Sequence, residues 1–298
     1  MKKTFLTLFA AFVLSACAGG SHATMPGIPG ADAVSTAANR WNVKTLANGW
    51  SGPFAIAFDG AGNAFVTDDD QNALFEVPRG GTIRKIATGL SNPTSVAADA
   101  VGDAFVSYDA GVREFLTDGT SRKISIPCKN AAIAGSKTGT FFLDACRTLY
   151  KLLPSGKLTR IRKAPLAGTL AVDGSGNFYI SDLYSTLKIR PNGKASYLTR
   201  SIGGRIAADT SGNVYAGEYN AGLGTLYVVN PNGNVRALRS NLGMIEGVGI
   251  DPTGNAYVTS IGRSKVYRVS PRGTEAPFGS SAPFMVAIDA QSNLYVAD

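Results

Sequence analysis

The sequence of 298 residues predicts an all-β fold. Its apolar residues alternate over short runs, Gly, Pro, Asn and Asp separate the runs, and no segment has a sustained helical period. With 44% hydrophobic and 17% charged residues, the chain can build a large core. The 35 glycines, 14 prolines and 3 cysteines exclude collagen-like, proline-linker and disulfide-scaffold proteins.

A motif of the form Asp-x-x-Gly-Asn-x-aromatic-aliphatic repeats along the chain, with two weaker copies. The copies begin at Asp59, Asp99, Ser136, Asp173, Asp209, Asp251 and Asp289, spaced 36 to 42 residues apart. A period of this length indicates a repeat architecture. We interpret the repeated Asp and Asn as turn residues whose side chains bond nearby backbone amides, and not as an active site.

Each unit reads as a meander of four strands, A to D. Strand A is the apolar run before the Asp, as in residues 54–58, and strand B is the aromatic segment, as in residues 64–66. Strand C is an alternating segment, as in residues 226–229, and strand D is the basic and apolar stretch after a Pro-x-Gly turn. Such units arranged around an axis form a β-propeller. We predict seven blades, with six blades and extra strands as the alternative.

The basic stretch 157–163 alternates cations with apolar residues at period two. This alternation is typical of the solvent face of an edge strand, so we expect a strand D there.

The last blade needs strands from both ends of the chain. Residues 41–47 resemble the strand-D segment 82–87, so the N-terminal strand is expected to close the ring as strand D of the last blade. Residues 284–297 then supply strands A and B. Strand C has no clear candidate: residues 33–40 could fill it irregularly, or the blade could be incomplete.

Residues 1–16 have the features of an export signal, with Lys2 and Lys3 before a short apolar run. The segment 14–17, which ends at Cys17, resembles the lipobox of bacterial lipoproteins. This resemblance implies cleavage before Cys17, lipidation of its sulfur and attachment to a membrane surface. An ordinary secretory signal is the alternative. Residues 17–40 are rich in small residues and are expected to be a flexible linker, which holds the only histidine, His22.

The formal charge of +8 falls to +6 if Lys2 and Lys3 are removed with the signal. In an exported protein this charge would meet anionic envelope polymers and lipids, so we expect no nucleic-acid partner. We expect an outer-membrane, periplasmic or cell-surface location. An unknown envelope protein, a glycan or a small molecule is the expected partner, besides the membrane.

The repeat resembles that of the NHL family over residues 41–298. The resemblance implies a propeller domain, but NHL-like propellers include sensors, scaffolds, lyases and lactonases, so it does not fix an activity.

In a propeller, the D–A and B–C loops lie at the same end of each blade. Cys128 precedes one strand A and Cys146 follows the strand B beside it, so we expect a disulfide between them. Two free thiols are the alternative.

Acidic residues follow several B strands at this same end, and Glu246 lies there at the start of a strand A. Asp182, Glu218 and Glu246 could supply oxygen ligands for Ca²⁺ or another divalent cation. The alternative is that such acids only cap their loops, and no cofactor is our main expectation.

The expected enzyme relatives differ from this chain at their motifs. Gluconolactonase-like propellers carry Glu-Gly-Pro in the first blade, where this chain has Ser51-Gly52-Pro53, and its only Glu-Gly is Glu246-Gly247. Streptogramin B lyase uses a catalytic histidine, and residues 41–298 contain none.

Two functions follow from the sequence. The first is a binding scaffold, and the second is a metal-dependent lactonase or esterase. We favour binding, leave enzyme activity open and assign no catalytic residue. The candidate ligand-binding rim consists of Asp68, Asn92, Tyr108, Tyr184 and Tyr219, although the tyrosines could equally be packing residues.

Overall fold

The computed structural model describes residues 11–16, 41–47, 50–80, 82–126, 131–135, 141–145, 147–153, 155–163, 169–218, 223–279, 285–289 and 293–297. These residues form 28 strands and one short 3₁₀ helix, Ile261–Arg263. The strands are β1 (Ala11–Ala16), β2 (Trp41–Ala47), β3 (Pro53–Phe58), β4 (Ala64–Asp68), β5 (Ala73–Val77), β6 (Arg84–Ala87), β7 (Ser95–Ala98), β8 (Ala104–Tyr108), β9 (Gly111–Phe115), β10 (Ser121–Ile124), β11 (Ala132–Gly135), β12 (Phe141–Ala145), β13 (Thr148–Leu152), β14 (Leu158–Lys163), β15 (Thr169–Val172), β16 (Phe178–Ser181), β17 (Thr186–Ile189), β18 (Ala195–Thr199), β19 (Arg205–Ala208), β20 (Val214–Gly217), β21 (Leu226–Val229), β22 (Val235–Arg239), β23 (Ile245–Ile250), β24 (Ala256–Ser260), β25 (Lys265–Val269), β26 (Glu275–Gly279), β27 (Met285–Ile288) and β28 (Leu294–Ala297).

The described strands form seven antiparallel sheets of four strands each. Five of these sheets are blades of the predicted kind: each has four consecutive strands, and an Asp side chain stabilises the turn between its first and second strands. The five blades are β3–β6, β7–β10, β15–β18, β19–β22 and β23–β26. A sixth sheet, β11–β14, is also consecutive. The first strands of successive sheets contact one another from β3 to β23. The prediction of an all-β propeller with four-stranded blades is therefore confirmed.

The remaining sheet joins the two ends of the chain in the order β27, β28, β1 and β2. Trp41–Ala47 lies at the edge predicted for strand D, two positions from the C-terminal strand. The third position holds Ala11–Ala16, which pairs antiparallel with both neighbours. The expectation that residues 33–40 fill this position, or that it is empty, is therefore wrong for a chain that retains Ala11–Ala16. A hydrophobic segment with the features of an export signal can therefore also form a strand of a sheet.

Burial changes along each blade from the inner strand to the outer one. The B strands β4, β8, β16, β20 and β24 are buried at every residue, because neighbouring sheets cover both of their faces. The D strands are mostly exposed, and β14 confirms the predicted solvated edge strand. The core lies between blades: Phe65 and Leu74 pack with Val96 and Val106 of the next sheet.

The Pro-x-Gly turns between strands C and D need glycine for two reasons. Gly233 and Gly273 have φ of +87° and +85°, which side chains with a Cβ rarely adopt. A Cβ at either position would lie 2.5 Å from the carbonyl oxygen of Leu198 or Leu238 in the preceding blade. The turn glycines therefore also allow neighbouring blades to approach closely.

Within the described residues, no helix is long and apolar enough to cross a membrane.

Candidate functional site

The propeller has two ends with different chemistry. We call the end with the A–B turns the turn end and the end with the B–C and D–A loops the loop end. At the loop end, the Gly204 N–H donates to the Asp182 carbonyl (2.6 Å) and the Leu242 N–H donates to the Gly224 carbonyl (3.0 Å). The predicted meeting of D–A and B–C loops is confirmed.

At the turn end, the repeated aspartates are engaged in their own turns. In the sixth unit, Asp251 accepts hydrogen bonds from the amides of Thr253 and Asn255 (2.9 Å each), from the Asn255 side chain (2.8 Å) and from the Tyr257 hydroxyl (3.1 Å). Burial opposes ionisation of Asp251, but the hydrogen bonds from Asn255, Thr253 and Tyr257 outweigh it and lower the pKa of this carboxyl. The interpretation of these residues as turn chemistry is confirmed.

The motif tyrosines complete these turns from inside the core. The Tyr179 hydroxyl donates to Asp173 (2.8 Å), and the Tyr295 hydroxyl donates to Asp289 (3.1 Å). Burial and the adjacent carboxylate raise the pKa of each tyrosine, so both hydroxyls stay protonated. The aromatic residue of the motif thus has a polar role at Tyr179, Tyr257 and Tyr295.

A cavity of about 750 Å³ opens at the turn end. Its wall includes the turn residues Asp59, Asp99, Asp209, Asp251 and Asp289. Sequence reasoning assigned the functional mouth to the other end and missed this cavity. The signal was present in the small residues beside the aspartates: Gly60 and Ala100 line the cavity, and a Cβ at Gly60 would lie 2.6 Å from the Ala100 carbonyl oxygen, so glycine lets the neighbouring turns approach closely.

At the loop end, Asp68, Asp69, Asp70 and Asp109 form an acidic cluster in the first two blades. Asp68 is fully buried and accepts hydrogen bonds from the amides of Ser51 (2.8 Å) and Gln71 (2.9 Å), so it holds the loop together. Burial, and then repulsion from Asp70, Asp68 and Asp109, raises the pKa of Asp69.

Two further predicted rim residues lie beside this cluster. The Asn92 amide side chain donates to Asp109 (3.3 Å), and its backbone N–H donates to the Asn72 side chain (3.1 Å). Tyr108 is only 7% exposed and packs in the core between the first two blades. The prediction of Tyr108 as a ligand-stacking rim residue is therefore wrong, and the packing alternative fits it, because it ends the fully buried strand β8.

The three predicted metal ligands have separate surroundings. The Asp182 carboxylate accepts bonds from the amides of Tyr184 (2.7 Å) and Ser185 (2.6 Å). Glu246, which is buried, forms an ion pair with Arg205 (2.6 Å). Glu218 is half-buried, and its backbone N–H bonds to Thr225. Among the described residues, no group of three His, Cys, Asp or Glu side chains is placed to hold a metal ion.

Large apolar side chains project from the loop end at the fourth and fifth units. Leu183 is 56%, Tyr184 71% and Leu223 68% exposed. Tyr184 is thus accessible at the end where the rim was predicted. Sequence reasoning identified Tyr184 but not the two leucines, because isolated leucines in loops carry no pattern.

Four predicted site residues, Cys17, Cys128, Cys146 and Tyr219, lie outside the described residues. The disulfide and the lipidation therefore stay predictions.

A comparison with known protein families finds no match, and a comparison with curated proteins finds none either. Solved structures do match. Virginiamycin B lyase from Staphylococcus aureus has a TM-score of 0.68 at 11% identity, covering 83% of this chain and 94% of the lyase. A variant of that enzyme with a histidine replaced by alanine is described as catalytically inactive and was solved with quinupristin.

Two other solved structures show the range of proteins with this fold. A gluconolactonase from Xanthomonas campestris has a TM-score of 0.51 at 11% identity, covering 83% of this chain and 86% of the enzyme. PorZ, a bacterial surface component of the type-IX secretion system of Porphyromonas gingivalis, has a TM-score of 0.64 at 10% identity, covering 84% of this chain and 36% of PorZ. The predicted likeness to streptogramin lyase and gluconolactonase propellers is confirmed at the level of the fold.

Proposed function

We propose that this chain is a lipid-anchored, extracytoplasmic β-propeller that binds a protein, glycan or small molecule through its loop end. One observation carries the proposal. Loop-end carboxylates that could have formed a reaction centre bond to different partners, while other loop side chains project into solvent. Asp182 caps its own loop and Glu246 pairs with Arg205, whereas Tyr184 is 71% exposed. A scaffold needs an exposed loop face of this kind.

A hydrolase or lyase activity receives less support from the residues. A metal-dependent lactonase would need carboxylates that converge, and Asp182 and Glu246 are bonded to different partners. An inactive variant of virginiamycin B lyase lacks a histidine, while the only histidine of this chain is His22, in the predicted linker. Binding is therefore the proposed function.

We infer that the seven sheets form one closed ring of seven blades. The first strand of the terminal sheet, β27, contacts both β23 and β3, which supports closure between the last and first units. The placement of β2 in the same sheet as β28 supports the predicted use of the N-terminal strand.

The proposed export has a direct consequence for the terminal sheet. Cleavage before Cys17 would remove Ala11–Ala16 and leave β28 and β2 without the strand between them. The intact mass of the exported protein tests this: a lipidated Cys17 at the N-terminus supports the anchor, and retention of residues 1–16 contradicts it.

Site-specific photocrosslinking in living cells tests the binding function. A photoreactive residue at position 70, an exposed position within the acidic cluster, is expected to give a discrete adduct with an envelope component. The same residue at position 101 is the control, because Val101 is 72% exposed in an A–B turn at the opposite end. Absence of an adduct from position 70 as well as from position 184 would contradict the proposed function.

A further inference from the structure

An apolar surface crosses the loop end at the fourth, fifth and sixth units. We call it the apolar arc; it consists of Leu183, Tyr184, Ile202, Leu223 and Met244. Leu183, Tyr184 and Leu223 are more than half exposed, and Ile202 and Met244 are partly exposed. Exposed apolar side chains gathered at one place are unusual on a monomeric protein and mark an interaction surface.

Backbone contacts hold the parts of the arc together. Gly204, two residues after Ile202, bonds to the Asp182 carbonyl next to Leu183 and lies against Gly217 and Glu218 of the next unit. The Gly243 N–H then bonds to the Leu223 carbonyl (3.2 Å). The arc is therefore a fixed surface made by neighbouring loops.

Cations border the arc, and their described contacts are with uncharged groups. The Arg200 guanidinium lies 3.7 Å from the centre of the Tyr197 ring. Arg263 donates to the amide oxygen of Asn241. Both arginines are exposed, and neither contact is an ion pair.

The acids near the arc are less exposed than Arg200 and Arg263. Asp182 is half-buried in its turn, and buried Glu246 is paired with Arg205. Glu218 is half-buried. Two arginines are therefore exposed beside the arc, whereas these three acids are buried or half-buried.

We propose that the apolar arc docks the propeller onto an anionic bilayer surface, with Leu183, Tyr184 and Leu223 inserted at the headgroup level and Arg200 and Arg263 beside anionic headgroups. The proposal deepens the proposed function, on which it rests, by naming a lipid surface as one partner of the loop end. Tyrosine prefers the interface between water and lipid, and each cation near an anionic surface adds attraction.

The arrangement fits a bilayer better than a small ligand. The three exposed residues project from loops, while the cavity of about 750 Å³ opens at the opposite end. The acidic cluster of the first two blades lies at the same end and would be repelled by anionic lipid. The propeller would therefore tilt with the arc against the bilayer and the acidic cluster facing away from it.

Vesicle sedimentation tests this with the full chain carrying Cys17→Ser, so that no attached lipid contributes. We expect binding to phosphatidylglycerol vesicles and weak binding to phosphatidylcholine vesicles. The triple variant Leu183→Ser, Tyr184→Ser, Leu223→Ser should bind phosphatidylglycerol about tenfold more weakly or worse, because three apolar side chains are lost. Val101→Ser, an equally exposed position at the turn end, is the matched control and should bind like the parent chain.

A second pair of variants tests the charge. Arg200→Gln with Arg263→Gln should weaken binding to phosphatidylglycerol and leave binding to phosphatidylcholine unchanged. Equal binding by the parent and the triple variant, or no binding by the parent, overturns the inference. Thermal melting of each variant shows that the fold is intact.

The two proposals can fail separately. An adduct from position 70 without arc-dependent vesicle binding refutes the bilayer inference alone. Arc-dependent vesicle binding without any adduct to an envelope protein, glycan or small molecule supports the inference and refutes the broader binding function.

Discussion

Asp251 at the turn end and Asp69 at the loop end have opposite electrostatic surroundings. At the turn end, Asp251 receives hydrogen bonds from two amides and three side-chain groups, and its pKa is lowered. At the loop end, burial and three neighbouring carboxylates raise the pKa of Asp69. The same side chain is therefore stabilised as an anion in one place and destabilised in the other.

The difference shows how to separate structural acids from candidate functional ones in a repeat protein. An acid that recurs in every unit and is surrounded by donors has a fold-forming role. When an acid is surrounded by other acids, their negative charges disfavour its ionisation. Such groups are common at binding and catalytic sites, although structural networks also produce them.

The largest effect is expected for Asp251→Ala. The substitution removes the carboxylate that accepts hydrogen bonds from Thr253, Asn255 and Tyr257 in a buried turn, so the free energy of unfolding should fall by about 3 kcal/mol. The matched variant is Asp59→Ala, in a less buried turn where Phe65 replaces the tyrosine, and it should cost about 1 kcal/mol. Urea unfolding measures both.

The pH dependence of this difference has a definite sign. The pKa of Asp251 is lower in the folded than in the unfolded chain, so its stabilisation is present above the unfolded pKa and is lost as the pH falls through the folded pKa. The gap between the wild type and Asp251→Asn should therefore be constant near neutral pH and shrink in strong acid. Equal costs for the variants at positions 251 and 59 would contradict the contrast.

A smaller loss is expected when the ion pair at the start of two neighbouring A strands is broken. Glu246→Ala removes the buried carboxylate that faces Arg205 and should lower the free energy of unfolding by about 2 kcal/mol. Leu226→Ala, in the adjacent core, provides a packing control that should be insensitive to salt. No loss in Glu246→Ala would mean that the carboxylate is free for another partner.

A small gain is expected for Asp69→Asn. Its raised pKa means that the charged form costs stability above the folded pKa, and that this cost disappears as the pH falls and the carboxyl is protonated. The variant should be more stable at neutral pH by less than about 1 kcal/mol, since the group is partly solvated. Melting curves across the pH range should converge in acid, and a loss of stability at neutral pH would show that Asp69 has an unseen donor.

The smallest effect is expected for calcium. Because Asp182 caps a loop and Glu246 pairs with Arg205, the melting temperature should not change between excess Ca²⁺ and EDTA. A chelator-sensitive shift that disappears in Asp182→Ala would favour the lactonase hypothesis.

Sequence alone predicted the features that are encoded by neighbouring residues. The Asp turns, the Pro-x-Gly turns and the solvated strand β14 each depend on a few consecutive side chains, so the repeat makes them visible. The order of strands within a blade followed from the same local signals. Trp41–Ala47 could be assigned to the last sheet because it copies a strand D found elsewhere in the chain.

What the sequence did not predict depends on contacts between blades. Arg205 and Glu246 are 41 residues apart and meet only because their strands are neighbours in the propeller. Tyr108 looks like a loop aromatic in the sequence, but the adjoining blades bury it. The sequence assigned residues 1–16 to export and did not predict the strand Ala11–Ala16, because an apolar run can have the same composition in a signal and in a strand.

The terminal sheet makes the fold depend on the order in which the chain is synthesised. The strand Trp41–Ala47 and its partner Ala11–Ala16 emerge early, but Met285–Ile288 and Leu294–Ala297 of the same sheet are made much later. A chain that stops before Met285 would leave Ala11–Ala16 without its partner Leu294–Ala297 and expose the side of β3 that β27 covers. Truncated products would thus display an open sheet edge, which is prone to aggregation and accessible to proteases, so the fold itself distinguishes finished from unfinished chains.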